Sequence, residues 1–188
     1  MELTDAVGLL GDPGLASLGA AAWADLGCGR GTFTLALAEL LAPGSTIHAM
    51  DRDGAALRPM PREHHGVRIA TYRGDFTSAA WPFGDLDGIL MANSLHYVED
   101  QAGFIRACEA RLTSRRFLIV EYDTDAANRW VPYPVSKTRL TSLFTAAGYS
   151  SIEFLGSRPS AFRRAALYAA IVTPARRGGR SALQSKHG

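Results

Sequence analysis

The sequence predicts an α/β protein, with a mostly parallel sheet between two layers of helices and an antiparallel hairpin at its C-terminal end. Three observations carry that expectation. Apolar, strand-like runs alternate repeatedly with segments of helical periodicity. The first run passes into a glycine-rich turn, Gly27-Cys28-Gly29-Arg30-Gly31, that opens a helix. The last two runs, residues 152–155 and 167–172, are joined by a segment with no good crossover helix, so they should pair antiparallel.

Ahead of the first strand, Val7, Leu9 and Leu10 end a helical turn at the break Gly11-Asp12-Pro13-Gly14, and Leu15 and Leu18 fit one turn more. Ala20 to Ala24 read as the tail of a buried strand. After the glycine turn, Phe33, Leu37, Leu40 and Leu41 recur on one helical face, and Pro43-Gly44 stops that helix. Glycine lets the chain turn sharply and lets a ligand lie against the backbone. Asp25, two residues before the first glycine, would repel a pyrophosphate and attract an ammonium group. The second strand, residues 46–50, ends in Asp51, placed to take both hydroxyls of a ribose.

These two acids and the glycine turn resemble the class I S-adenosylmethionine-dependent methyltransferases. The resemblance implies a Rossmann-like three-layer sandwich with a seven-stranded sheet, and S-adenosylmethionine as cofactor. It also implies that Asp25, Gly27, Cys28 and Gly29 hold the methionine half, while Asp51, with Arg52 beside it, holds the ribose.

Beyond Asp51, Ala55, Ala56 and Leu57 favour a helix that Pro59 and Pro61 cut to one or two turns. His64-His65 follows in a polar loop with no second ligand cluster at zinc-like spacing, so no metal is expected. Residues 67–72 alternate as a strand and lead to Asp75-Phe76. In the resembling family an acid here accepts from the adenine amino group with an apolar neighbour on the ring. Equally, Asp75 can cap a short helix through Ala79 and Ala80.

Residues 85–92 form a buried strand ending in Asn93-Ser94-Leu95-His96. A similar Asn-x-Leu-His string follows the fourth strand of many small-molecule methyltransferases, so Asn93 is counted with the cofactor residues. His96 is the candidate base for a substrate hydroxyl, with a shaping role as the alternative. Phe104, Ile105, Cys108 and Leu112 then mark one helical face, which puts Cys108 in the core. Residues 117–120 are the fifth strand. The loop 123–134 carries Trp130, Pro132, Tyr133 and Pro134, and either walls a substrate site with Trp130 and Tyr133 or packs its aromatics onto the core. Ser136 caps the last helix, whose Leu140, Leu143, Phe144 and Ala147 face inward before Gly148.

The 188 residues suit one domain, expected over 1–173, with a basic flexible tail at 174–188. Of 20 lysines and arginines, four lie in that tail; the remaining 16 face 18 acids. A mildly acidic body argues against nucleic acid and for a small organic substrate methylated on oxygen, nitrogen or carbon. An RNA or protein methyltransferase and a catalytically silent cofactor-binding partner protein are the alternatives; a nicotinamide dehydrogenase stands last. No apolar run approaches the roughly 18 residues of a membrane span. Glu2 and Asp5 replace the basic start of a signal peptide, and two cysteines make no disulfide framework, so a cytoplasmic location is expected. The short N-terminal segment leaves substrate cover to a minimal lid, to another segment, or to a homodimer or companion subunit.

Overall fold

The computed structural model describes residues 1–78, 80–159 and 165–174. The chain opens with α1 (Leu3–Leu10) and a 3₁₀ turn (Leu15–Leu18), then runs through β1 (Ala22–Leu26), α2 (Thr32–Leu40), β2 (Thr46–Asp51) and α3 (Gly54–Leu57). It continues with β3 (Glu63–His64), β4 (Val67–Arg73), β5 (Gly88–Ala92), a second 3₁₀ turn (Leu95–Tyr97) and α4 (Gln101–Glu109). β6 (Phe117–Tyr122), α5 (Lys137–Ala146), β7 (Ser151–Pro159) and β8 (Ala166–Thr173) complete it.

The strands form one sheet in the order β3-β4-β2-β1-β5-β6-β8-β7. β4, β2, β1, β5 and β6 are parallel neighbours, and β8 runs antiparallel between β6 and β7. The C-terminal hairpin is thus as the sequence predicts. β1 is the switch point: the chain steps outward from it to β2 and β4, then crosses to β5 on its other side. In open α/β sheets the crevice beyond the carboxyl ends at such a point receives ligands.

Alternating side chains explain the two faces of the sheet. Ile89, Met91, Phe117 and Ile119 point into one core with Ile105 and Cys108 of α4 and Leu140 and Phe144 of α5. Leu90, Leu118 and Val120 point into the other with Leu9 and Leu10 of α1 and Ala36 and Leu37 of α2. Cys108 is therefore core. Ser136 caps α5, its hydroxyl accepting from the Arg139 N–H at 3.2 Å.

Two local expectations differ. The described sheet has eight strands rather than seven, because Glu63-His64 pairs antiparallel with Val67-Arg68 across a two-residue turn. His64 therefore belongs to an edge strand, not a polar loop. Two residues carry no readable periodicity, and the turn uses His65-Gly66, both at positive φ (51° and 73°), in place of the usual Asn-Gly. At Asp75 no helix follows: its Oδ1 accepts from the Thr77 N–H (2.9 Å) and hydroxyl (2.7 Å), closing a short turn. Ala79 and the tail 175–188 lie outside the described residues.

Close packing of β1 on β5 yields a stability prediction. Gly88 pairs in register with Trp23, and a Cβ at Gly88 would stand 2.5 Å from that fully buried indole. Gly88→Ala should cost about 2–3 kcal/mol, read as a lower urea midpoint at unchanged m-value.

Candidate active site

The glycine turn is held from below and from the side. The N–H groups of Gly27 and Cys28 donate to the Met50 carbonyl at 2.8 and 3.1 Å, tying the turn to the end of β2. Gly29 N–H donates to Asp51 Oδ2 at 2.8 Å, while Oδ1 accepts from Asp53 N–H at 2.8 Å. Asp51 thus orders the turn and keeps a free lone pair on each oxygen for a ligand. Gly27 sits at φ 79°, and a Cβ there would lie 2.6 Å from Ser94 Cβ and 3.2 Å from the Phe76 ring. No larger residue fits between those walls without displacing one.

Asp25 is the most perturbed acid of the site. It is fully buried, Oδ2 accepts from the Thr34 hydroxyl at 2.6 Å, and Oδ1 has no partner. Burial pushes its carboxyl up to about 7 against the pull of the Thr34 bond, and the nearby Asp51 adds to the rise. The same burial, with Asp25 and Asp51 close by, raises the Cys28 thiol far above its ordinary range. Cys28 is therefore a packed thiol rather than a nucleophile. Asp75 lies at the other extreme: the two bonds from Thr77, with a smaller contribution from Arg52, hold it below the usual carboxylate range. It stays an ionised acceptor at neutral pH.

Two cavities of about 390 Å³ each open from this floor, and Gly27 and Asn93 line both. The first is also lined by Asp25, Cys28 and Gly29, and reaches Tyr122, Arg158 and Asp5. The second is lined by Asp51, Arg52, Asp75, Phe76, Ser94 and Tyr97. All nine residues expected to hold the cofactor therefore meet along one crevice at the switch point. Asn93 enters it with φ 54°, and its Oδ1 is buried without a partner. Two orphaned acceptors, on Asp25 and Asn93, and a glycine cradle that a Cβ would fill are what a nucleoside bearing an ammonium group requires.

The three residues expected at the substrate line neither cavity. His96 is 2% exposed, its Nδ1 lies 2.6 Å from Glu121 Oε2, and its N–H donates to Oε1 at 3.1 Å. The carboxylate accepts, so the ring proton sits on Nδ1 and Nε2 is left without a hydrogen bond among the described residues. Glu121, fully buried at the end of β6, was not singled out by the sequence, because 25 residues separate it from His96. Trp130 is 65% exposed; Val131 and Val135, not the aromatics, anchor its loop to the core. Tyr133 is tied to His96 through its backbone, its N–H donating to the His96 carbonyl at 3.0 Å. In their place the first cavity is bounded by α1: Met1 and Asp5 line it, and Asp5 is paired with Arg158 at 2.5 Å.

Comparison with known proteins bears on the fold and the domain. Residues 24–115 match the family model described as a methyltransferase domain. No curated protein sequence matches the chain. Among solved structures it is similar to human N-acetylserotonin methyltransferase, crystallised with SAM, at 16% identity and TM-score 0.64 over 90% of this chain and 51% of that one. It is similar to the Burkholderia thailandensis 1,6-didemethyltoxoflavin N1-methyltransferase, crystallised with 1,6-didemethyltoxoflavin and S-adenosylhomocysteine (21%, TM-score 0.62, 92% and 77%). The magnesium protoporphyrin IX methyltransferase of Synechocystis PCC 6803 gives 15%, TM-score 0.59, 90% and 77%. The chain spans 38% of the length of EvdMO1 and 53% of that of the mitomycin 7-O-methyltransferase MmcR. At these identities the structural likeness establishes the fold, and the sequence match establishes the domain. Residues 24–115 are thus a methyltransferase domain, set in a switch-point sheet whose fold these enzymes share.

Proposed function

We propose that the protein transfers a methyl group from S-adenosylmethionine to oxygen, nitrogen or carbon of a small organic molecule. The observation that carries this reading is the pair of cavities meeting at Gly27 and Asn93, with acceptors distributed along them as a cationic nucleoside demands. Asp25 faces the ammonium end, Asp51 the ribose, and Asp75 with Phe76 the adenine, which has an N–H to donate and a face to stack. The bound cofactor supplies an activated methyl on a sulfonium, already an excellent leaving group. The protein's task is therefore to align an acceptor and exclude water. The cavity floor at Ala92, Asn93 and Tyr122, bounded by α1, is where the acceptor would lie. His96, oriented by Glu121 and with no hydrogen bond to Nε2 among the described residues, is the group of this stretch that could take a proton from a hydroxyl acceptor. Any further enclosure falls to a second copy or a companion subunit.

One feature favours RNA as the second reading. Arg52, Arg58, Arg62 and Arg73 line an open hollow of about 770 Å³ beside the ribose end of the crevice. The acid excess of the chain ahead of residue 174 weighs against it. Among the described residues no helix is long and apolar enough to cross a membrane. Cys28 and Cys108 are free and buried, which suits the cytoplasm.

Asp51 provides the test of the cofactor assignment. Asp51→Ala should weaken S-adenosylmethionine binding at least about tenfold, roughly 1.4 kcal/mol, with circular dichroism unchanged. An unaltered dissociation constant would remove the ribose role.

A further inference from the structure

We propose that Glu39, His64 and His65 form a binding site for a divalent metal of borderline softness, Zn²⁺ being the ion that suits the donors best. The site lies away from the cofactor crevice: His64 pairs with Val67, the first residue of β4, whereas the crevice opens past the last residues of β2 and β4. Glu39 comes from the last turn of α2, 25 residues before His64, which is why no ligand spacing is visible in the sequence.

One ligand atom from each of the three side chains lies within 4.8 Å of the others. His64 Nε2 and Glu39 Oε1 stand 3.3 Å apart, and the two imidazole centroids 4.5 Å apart. Donors around a tetrahedral zinc, at bond lengths of about 2.1 Å, are separated by about 3.3–3.5 Å. One pair already has that spacing, and the third donor, within 4.8 Å of the others, needs to close by at most about 1.4 Å. Two imidazoles and one carboxylate select zinc over magnesium or calcium, which prefer oxygen alone.

His65 takes the first central position of the turn at φ 51°, a left-handed conformation that Asn or Gly occupies at lower cost. The turn is also braced, because Gly44 N–H donates to the Gly66 carbonyl at 2.8 Å. A metal there would clasp the end of α2 to the β3–β4 hairpin. Since α2 begins at the glycine turn, the clasp would stiffen the helix that carries the cofactor floor.

The test uses the full chain stripped with chelator, titrated with Zn²⁺ in a calorimeter and with Co²⁺ by visible absorption. One equivalent of Zn²⁺ should bind with a dissociation constant below about 10 µM, and Co²⁺ should give tetrahedral d–d bands. Glu39→Gln, His64→Ala and His65→Asn should each weaken binding about 10–100-fold and abolish the rise in melting temperature on adding Zn²⁺. His65→Asn suits the left-handed turn, so its effect is separable from misfolding. Absence of binding in that range, or binding unaltered in all three variants, would overturn the proposal.

Discussion

Titrated with S-adenosylhomocysteine between pH 5 and pH 7, the protein is expected to bind about tenfold more tightly for each unit of rising pH, levelling off near pH 7. Asp25 sets this dependence. In the free protein its buried carboxyl keeps its proton up to about 7. An ammonium group placed beside it favours the ionised form, so binding must expel that proton whenever the pH lies below that value. S-adenosylhomocysteine lacks the sulfonium charge and isolates the ammonium contribution. Its own α-amino group titrates near 8, above the window used. Asp25→Asn should flatten the profile and weaken binding about 30-fold at pH 7.5, the ~2 kcal/mol of a charge-assisted hydrogen bond. A profile equally steep in the variant would assign the proton to another group.

The same carboxyl predicts the sign of the stability profile without ligand. Its folded pKa, about 7, exceeds the value of 3.8 it has when exposed, so the folded state holds a proton that the unfolded chain has released. Stability should therefore fall as the pH rises from about 4 to about 7, by on the order of 4 kcal/mol from this group alone. Asp25→Asn should lose that slope. The contribution of Asp25 to stability is thus smallest near neutral pH, where it favours ligand binding most.

The second large effect is expected at Glu121. Glu121→Ala would leave two buried donors of His96, Nδ1–H and the backbone N–H, without their acceptor. Removing one partner of a buried polar pair typically costs about 3–5 kcal/mol, and a urea midpoint shift of that size is expected here. Glu121→Gln is the subtler probe. Its amide carbonyl can satisfy only one of the two donors, and an amide N–H facing Nδ1 would move the ring proton to Nε2. Imidazole nitrogen chemical shifts should report that change of tautomer. With a hydroxyl acceptor, kcat should fall at least about 100-fold, because Nε2 no longer accepts a proton. Cofactor affinity should be unchanged, as neither residue lines the crevice. A kcat that survives the tautomer change would leave His96 with a shaping role.

How far the sequence reached depended on how local each feature is. The crevice floor was legible: Asp25 and Asp51 lie at the ends of their strands, and the glycines and Asn93 follow theirs directly, so periodicity and turn chemistry point to their place. Features that join distant segments were not. His96 needs Glu121, one strand away across the sheet, and no periodic signal links residues 25 apart in the chain. Glu39 and His64 are separated by the same distance and meet only because α2 packs beside a two-residue strand. Arg158 and Asp5 reach one cavity from opposite ends of the chain. The aromatic loop misled for a different reason. Trp130 and Tyr133 signalled buried area, but Val131 and Val135 supply it and leave the indole outside.

Calorimetry with S-adenosylmethionine, S-adenosylhomocysteine and NAD, run side by side on the full chain, bears on the whole account at once. One equivalent of each of the first two should bind, with no heat from NAD. Binding of NAD alone, or of none of the three, would contradict a crevice shaped for a cationic nucleoside.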